Sequence, residues 1–383
     1  MKLETFLNAK PLFYDKIDYT RFPRIYAKIK HHFSTIKTVH IVGTNGKGTT
    51  GRFLATALHN LGYSVGHYTS PHILKFNERI WIDGYDAKNE VLEDAHIRLL
   101  TFLDDTDREA LSYFEYTSLL AMLVFINCEY VVLEAGLGGE HDATAVFPKV
   151  LTLVTPIDID HEAFLGSTIQ EIASTKLNAI QNSAIIATQK NKVVYDVAKK
   201  KSDFDSSLDI KKIQEVLDAK DIQDISLIAK RLSLAGYLEQ NLSLSIAALK
   251  FFNLSYNINI FNNSKLFGRL SQYKKNIIID VGHNLLAAHS IVAALSGNKY
   301  ILIYNSYQDK DYKQILSVLK PIINYVEIID IDDERRTSIE SLQNVLIDLK
   351  IKYSKFNNID MSKNYLVFGS FSVAESFLRE YNG

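Results

Sequence analysis

Along the chain the period of apolar positions changes several times, and each change marks an element. The first forty residues carry apolar positions mostly at helical spacing, ending in the segment 25–33. A continuous apolar run then predicts a strand at Thr38–Val42, broken by Gly43. Behind it Phe53, Leu54, Ala57, Leu58 and Leu61 fall on one helical face, with Gly62 placed to end that helix. A second strand, Ser64–Tyr68, runs into Thr69-Ser70-Pro71. Strand, loop, helix, strand is a βαβ unit, which favours a parallel sheet. Apolar runs predict further strands at Tyr130–Leu133, Val150–Val154 and Ala184–Thr188. Lys190–Lys230 reads as charged and mainly helical, and the Asn-rich stretch Asn253–Ser264 reads as a linker. The pattern then restarts, with strands at Asn276–Ile279, Tyr300–Tyr304, Tyr325–Ile329 and Tyr365–Phe368 and helical segments between them.

Composition narrows the class. Of 383 residues 47% are hydrophobic, enough to build more than one core. Lys and Arg number 43 against 44 Asp and Glu, and no basic stretch is interleaved with aromatics, so nucleic acid is not an expected partner. Cys128 is the single cysteine and ends an apolar run, which excludes an internal disulfide and reads as a small core residue. The N-terminus lacks a signal-peptide h-region, and no apolar run approaches the roughly 18 residues that cross a bilayer. A cytoplasmic protein with no membrane partner is expected.

The sharpest chemical signal is Gly43-Thr44-Asn45-Gly46-Lys47-Gly48-Thr49, between a strand and a helix. Glycines let successive N–H groups turn toward phosphate oxygens at a helix N-terminus. Lys47 can reach the β- and γ-phosphates, and Thr49 offers a hydroxyl to phosphate or Mg²⁺. A standard P-loop has four residues between its first Gly and the Gly-Lys pair; here there are two. The fold expected is therefore α/β: a P-loop-containing, mainly parallel sheet domain over residues 1–258, followed by a smaller Rossmann-like α/β domain over 264–383. The second domain lacks a G-x-G-x-x-G turn after its first strand, so no dinucleotide site is expected there. Glu134, Ser70 and His161 each follow a strand of the first sheet. Taken singly, Glu134 suits a solvated strand-end acid as well as a metal ligand, Ser70 reads as a turn residue and His161 as a structural or solvated histidine. Together they gain weight, because the C-termini of parallel strands converge on one crevice. Asp280-Val281-Gly282-His283-Asn284 opens a helix, where Asp280 and Asn284 also suit plain capping. The run Asp330–Arg336 reads as a solvated loop.

These pieces resemble the folylpolyglutamate synthase/dihydrofolate synthase family of the Mur ligase superfamily. The matching stretches are HIVGTNGKGTT, TSPHILKFNERIWIDG, SYFEYT, VVLEAGLGGEHDAT, IDIDHEAFLG, FGRL, DVGHN and DKD, in the family's order. The TSPH…NERI segment separates this family from the muramyl ligases. The resemblance implies that ATP phosphorylates a substrate carboxylate and that the amine of L-glutamate attacks the acyl phosphate. It implies that the loop Gly43–Thr49, with Lys47, grips ATP, and that Asn241, Arg269 and Asp280 contact a nucleotide lying between the domains. Ser70, Glu134 and His161 would hold Mg²⁺, two ions being expected. Lys176 would be carboxylated, although Thr175-Lys176-Leu177-Asn178 stands where the family has Glu-Lys-Ala-Gly. An exposed helix lysine is the other reading of Lys176. His283 would lie near the reaction centre, in a stretch that lacks the usual Ala before His and Pro after Asn. Ser112, Phe114, His141, Asp142 and Ala143 would bind the pterin substrate, with Glu140-His141 in place of Arg-Leu. The N-terminal residues 18–21 lie where contact with the pteroate is also open. The implied partners are dihydropteroate, reduced folates and L-glutamate, acting on a monomer. The rival readings are a muramyl-type amino-acid ligase, a P-loop kinase or NTPase, and a silent nucleotide-binding module.

Overall fold

The computed structural model describes residues 1–11, 18–33 and 36–382. Its first sheet contains β1 (Lys37–Val42), β2 (Val65–Tyr68), β3 (Ile80–Ile82), β4 (Tyr85–Asp86), β5 (Tyr130–Glu134), β6 (Leu151–Val154), β7 (Ser183–Ile186) and β8 (Asp209–Lys212). Their spatial order is β4-β3-β2-β5-β1-β6-β7-β8. The strands from β2 to β8 in that order are parallel, and β3 and β4 add an antiparallel edge. β1 lies between β5 and β6, and every residue after Lys37 in it is buried, as suits a strand covered on both faces. On β5 the side chains alternate. Tyr130 and Val132 join a core with Phe53, Leu54 and Leu242, while Val131 and Leu133 join Tyr68, Leu119 and Leu120 on the opposite face. Each such fully buried side chain contributes about 1.5–3 kcal/mol over exposure.

The helix Lys47–Asn60 covers one face, and Gly62 follows its end at φ 97°, the left-handed backbone that glycine adopts readily. Cys128 is buried, and burial pushes its thiol up to about 12, consistent with a core residue and not a nucleophile. The segment 190–230 is not helical throughout. β8 (Asp-Ile-Lys-Lys) lies within it as an edge strand, and its charged residues on an exposed edge gave no apolar run to read. The Asn-rich stretch is also more ordered than a bare linker: Ile260 and Phe261 are buried in the first core, with Tyr256 and Ile258 packed against it.

By contacts the chain divides into Met1–Leu234 with Leu238–Ser264, and Ala235–Tyr237 with the chain from Lys265 onward. The second unit holds β9 (Ser271–Lys274), β10 (Ile277–Ile279), β11 (Tyr300–Tyr304), β12 (Ile323–Ile328), β13 (Tyr353–Lys355) and β14 (Tyr365–Phe368), in the order β13-β12-β11-β14-β10-β9. All pair in parallel except β9. β9 and β13, polar edge strands, were not legible from apolar runs for the same reason as β8. Among the described residues no helix is long and apolar enough to cross a membrane.

Candidate active site

In the first unit the site begins where β1 ends. Gly43 sits at φ 143° against Thr155, and Gly46 at φ 89° against the Asn241 carboxamide. In both places a Cβ would collide, so close approach and backbone both call for glycine. Thr44 N–H donates to the Pro156 carbonyl (3.0 Å), and its hydroxyl donates to the Asp158 carbonyl (3.0 Å), which ties the loop to the segment after β6. The Lys47 ammonium donates to the carbonyls of Gly43 (3.3 Å) and Thr44 (3.2 Å), so it lies over its own loop. The Thr49 hydroxyl and the Asn241 amide nitrogen are buried without a hydrogen-bond partner among the described residues. Both lie in or against the phosphate loop, where a ligand oxygen would satisfy them. Gly46→Ala is expected to lower stability by about 1–3 kcal/mol and to weaken nucleotide binding at least about tenfold. Thermal melting with and without ATP checks both effects.

Glu134, the last residue of β5, is buried, not solvated. Its Oε2 accepts from the Thr69 hydroxyl and from Ser70 N–H (3.2 Å), so the ends of β2 and β5 are joined through this carboxylate. Oε1 has no protein partner among the described residues. Thr69, which the sequence reading passed over, thus orients the acid; its place at the strand end next to Ser70 was the available signal. His161 stands in the loop after β6, at φ 53°, with Nε2 4.0 Å from the Asp160 carboxylate. Among the described residues no three His, Cys, Asp or Glu side chains gather into a metal cluster. A divalent ion would depend on the mixed set of Ser70, Glu134 and His161 together with ligand oxygens. The free Oε1 and a strand-end hydroxyl are hard oxygen donors of the type Mg²⁺ takes.

Lys176 is 4% exposed, which removes the surface-lysine reading. Its Nζ donates to the Gly43 carbonyl at 2.9 Å, beside the phosphate loop. Burial, and then the nearby Lys47 charge, lower its amine from 10.5 to about 7. A Cβ on Gly139 would come within 2.7 Å of the Lys176 carbonyl, so the glycine-rich loop after β5 lies directly on this helix.

That loop carries the expected substrate residues. Asp142 is buried, and burial raises its carboxyl despite the bonds it accepts. Oδ2 accepts from Leu137 N–H (2.9 Å), and Oδ1 accepts from the N–H (2.9 Å) and the hydroxyl of Thr144. Since the Thr144 hydroxyl donates to Asp142, it accepts from His40 Nε2 (2.7 Å). His40 is therefore the neutral Nε2–H tautomer, and burial together with Lys149 holds it well below its ordinary value. Ala143 is buried and packs in the second-face core, while His141 is exposed. Ser112 caps the helix Tyr113–Val124 by accepting from Glu115 N–H (3.1 Å). Phe114 stacks on Tyr68 with centroids 5.7 Å apart, and its ring lies where a Cβ of Gly136 would stand.

In the second unit Asp280 follows β10 and is buried. Oδ1 accepts from Gly282 N–H (2.8 Å), and Oδ2 accepts from Leu270 N–H (2.8 Å) and the Tyr237 hydroxyl (2.9 Å). Burial, and then the Asp280 charge, raise the Tyr237 phenol. Tyr237 lies 43 residues from Asp280, so no local signal could pair them. Asn284 does cap its helix, accepting from Ala287 N–H (3.0 Å). His283 Nδ1 lies 3.3 Å from the Val281 carbonyl, and the Arg269 guanidinium lies over the Phe371 ring at 5.1 Å. The Asp330–Arg336 loop is less free than expected, since Asp333 pairs with Arg335 (3.0 Å) and accepts from the Ser372 hydroxyl (3.1 Å).

No family model matches the chain. It is 31% identical to the dihydrofolate synthase/folylpolyglutamate synthase of Haemophilus influenzae, covering 88% of this chain and 87% of that one. A crystal structure of Helicobacter pylori folylpolyglutamate synthetase superposes with a TM-score of 0.80 at 37% identity, over 99% of this chain and 98% of that one. A Yersinia pestis bifunctional folylpolyglutamate synthase/dihydrofolate synthase, complexed with AMPPNP and a Mn ion, shares the fold with a TM-score of 0.78 at 20% identity, over 98% and 96% of the two chains.

Proposed function

The chain belongs to the dihydrofolate synthase/folylpolyglutamate synthase family, the ATP-dependent glutamate ligases of folate metabolism, and on that premise we infer how its own residues serve the reaction. The substrates are ATP, L-glutamate and a pterin carboxylate: dihydropteroate, a reduced folate (poly)glutamate, or both. A carboxylate is a poor electrophile, because its charge and resonance repel an amine. Transfer of the γ-phosphoryl group to one of its oxygens gives an acyl phosphate and ADP. The glutamate amine then attacks that carbonyl, and phosphate leaves with the C–O electron pair. What the protein supplies is positioning and charge neutralisation.

Loop Gly43–Thr49 supplies the phosphate grip, with Lys47 leaving its own carbonyls for the β- and γ-oxygens. The buried Thr49 hydroxyl and the Asn241 amide find in the nucleotide the partners they lack among the described residues. Asn45 and Gly48 belong to the same cradle. When bound with ATP, a divalent ion, Mg²⁺ in the cell, neutralises phosphate charge and makes the γ-phosphorus a better target. Ser70, Glu134 and His161 would hold it, and the family resemblance implies a second ion. Lys176 suits carboxylation, because only a neutral amine adds CO₂ and this amine is lowered to about 7. The product, a carbamate, would set a negative charge beside Lys47. Arg269 and Asp280 are assigned to ATP and His283 to the reaction chemistry, as the family resemblance implies. Ser112, Phe114, His141, Asp142 and Ala143 would face the pterin, with Asp142 also fixing its loop. We further take the enzyme as a cytoplasmic monomer, a reading that follows from the family resemblance.

The single observation that carries these assignments is the bond from Lys176 to the Gly43 carbonyl, which brings a buried, near-neutral amine onto the phosphate loop. The reaction as a whole is tested by phosphate release from ATP with dihydropteroate or tetrahydrofolate, with and without L-glutamate. Release that requires both co-substrates is expected. Equal release without either would favour an NTPase.

A further inference from the structure

The segment between β2 and β3 folds back on itself around one acid. Glu78 accepts from the N–H groups of Ile73 (2.8 Å), Leu74 (2.9 Å) and Lys75 (2.8 Å), so both of its oxygens turn into the segment. The far end of the segment is tied to the strand end, since Thr69 N–H donates to the Arg79 carbonyl (2.9 Å) directly before Ser70. From there the Arg79 side chain reaches the helix Tyr113–Val124. Its Nε donates to His72 Nδ1 (2.8 Å), and its guanidinium carbon stands 5.2 Å from the centroid of the Tyr113 ring. Phe76 packs edge-on against both the His72 and the Tyr113 rings. Arg79 therefore lies between the strand end that carries Ser70 and the helix start that carries Ser112 and Phe114.

What Arg79 lacks is a counter-charge. A His72 Nδ1 that accepts from an arginine carries no proton, so that imidazole is neutral. The Tyr113 ring is neutral as well, and Glu78 is turned to backbone N–H groups. Among the described residues neither Nη1 nor Nη2 of Arg79 has a partner, and no carboxylate pairs with it. Arg21, which reaches the same helix start, differs: its guanidinium pairs with Glu115 at 2.8 Å. A half-buried charge without a partner is costly. The two free nitrogens form a planar fork of the shape that matches a carboxylate.

We propose that Arg79 grips the reacting carboxylate of the pterin substrate through Nη1 and Nη2. The place follows from the chemistry. That carboxylate is joined to the pterin body and has to reach the γ-phosphorus, so it lies between Ser112 and Phe114 on one side and Ser70 and Glu134 on the other. Carboxylate and ATP are both anions and repel one another. A guanidinium beside them offsets part of that repulsion. Each carboxylate oxygen has two lone pairs, so an oxygen held by the fork keeps one with which to attack phosphorus. No role in the reaction is otherwise assigned to Arg79. The proposal rests on the ligase reading above for the identity of the substrate.

The direct test compares equilibrium binding of pteroate and of its primary amide to the full chain, with ADP and Mg²⁺ present, followed by the pterin's own fluorescence. The amide keeps the ring and the length and removes the charge. The wild type is expected to favour the acid about tenfold, the effect of one hydrogen-bonded charge. In Arg79→Gln that preference falls to within about twofold, while binding of the amide stays within about twofold of the wild type. Arg79→Lys, which keeps the charge and loses the fork, retains part of the preference. In the ligase assay Arg79→Gln lowers kcat/KM for dihydropteroate at least about a hundredfold and leaves KM for ATP within about twofold. A wild type that binds neither compound, or both equally, overturns the grip, as does an Arg79→Gln enzyme that still prefers the acid. Equal loss of acid and amide binding with a lower melting temperature also overturns it, and marks a structural hold on residues 72–79. A raised KM for L-glutamate with the acid preference intact assigns the guanidinium to the incoming amino acid instead. The acid preference is read without turnover, so it stands or falls apart from the ligase reading, which the glutamate dependence of phosphate release tests.

Discussion

Glu134→Gln is expected to abolish glutamate-dependent phosphate release, by at least about a thousandfold, while the melting temperature stays within about 3 °C. The fold survives because the glutamine carbonyl still accepts from the Thr69 hydroxyl and Ser70 N–H, which keeps β2 and β5 joined. What is lost is the negative charge on a carboxyl whose Oε1 has no partner among the described residues. Stabilisation of developing phosphate charge in a water-poor site is the kind of contribution whose removal costs several kcal/mol of barrier. Steady-state phosphate release at saturating ATP, with melting as the control, checks it. Near-normal turnover would remove Glu134 from the metal set.

Lys176→Met is expected to have an effect of similar size on turnover and the opposite sign on stability. Turnover falls by at least about a thousandfold, because methionine can neither donate to the Gly43 carbonyl nor carry a carbamate. Stability rises. The folded amine titrates at about 7 against an ordinary 10.5, so between those values the unfolded chain holds the proton more firmly. Each unit of difference amounts to about 1.4 kcal/mol, and in the wild type this penalty is complete at and below pH 7 and fades as pH rises to 10.5. The variant lacks it. The stability gain of Lys176→Met should therefore be largest near pH 7 or below and vanish by about pH 10.5, measured by denaturant melts in CO₂-free buffer. A gain that is flat across this range would show that the amine is not buried in solution.

The first sheet was legible because its central strands are buried on both faces and so read as unbroken apolar runs ending at Gly43, Glu134 and the residues before Asp158. The strand-end residues were legible for the same reason, since a polar residue after such a run has one place to go. Much of what escaped notice was at an edge or far apart in sequence. β8, β9 and β13 carry polar side chains because edges face water, so the hydrophobic pattern is silent there. The Tyr237–Asp280 and His40–Thr144–Asp142 bonds join residues that no local period relates. Lys176 is the instructive case: a lone lysine in a helix reads as surface, and only the packing of Gly139 against its backbone shows why it is enclosed.

The central claim is that ATP activates the pterin carboxylate itself, as an acyl phosphate held between the phosphate loop, Lys176 and Glu134. The most direct measurement uses dihydropteroate whose carboxylate carries heavy oxygen, turned over with ATP and L-glutamate in ordinary water. The account predicts that the released phosphate contains one heavy oxygen from that carboxylate for each amide formed. Phosphate carrying only ordinary oxygen, with amide still formed, would contradict it.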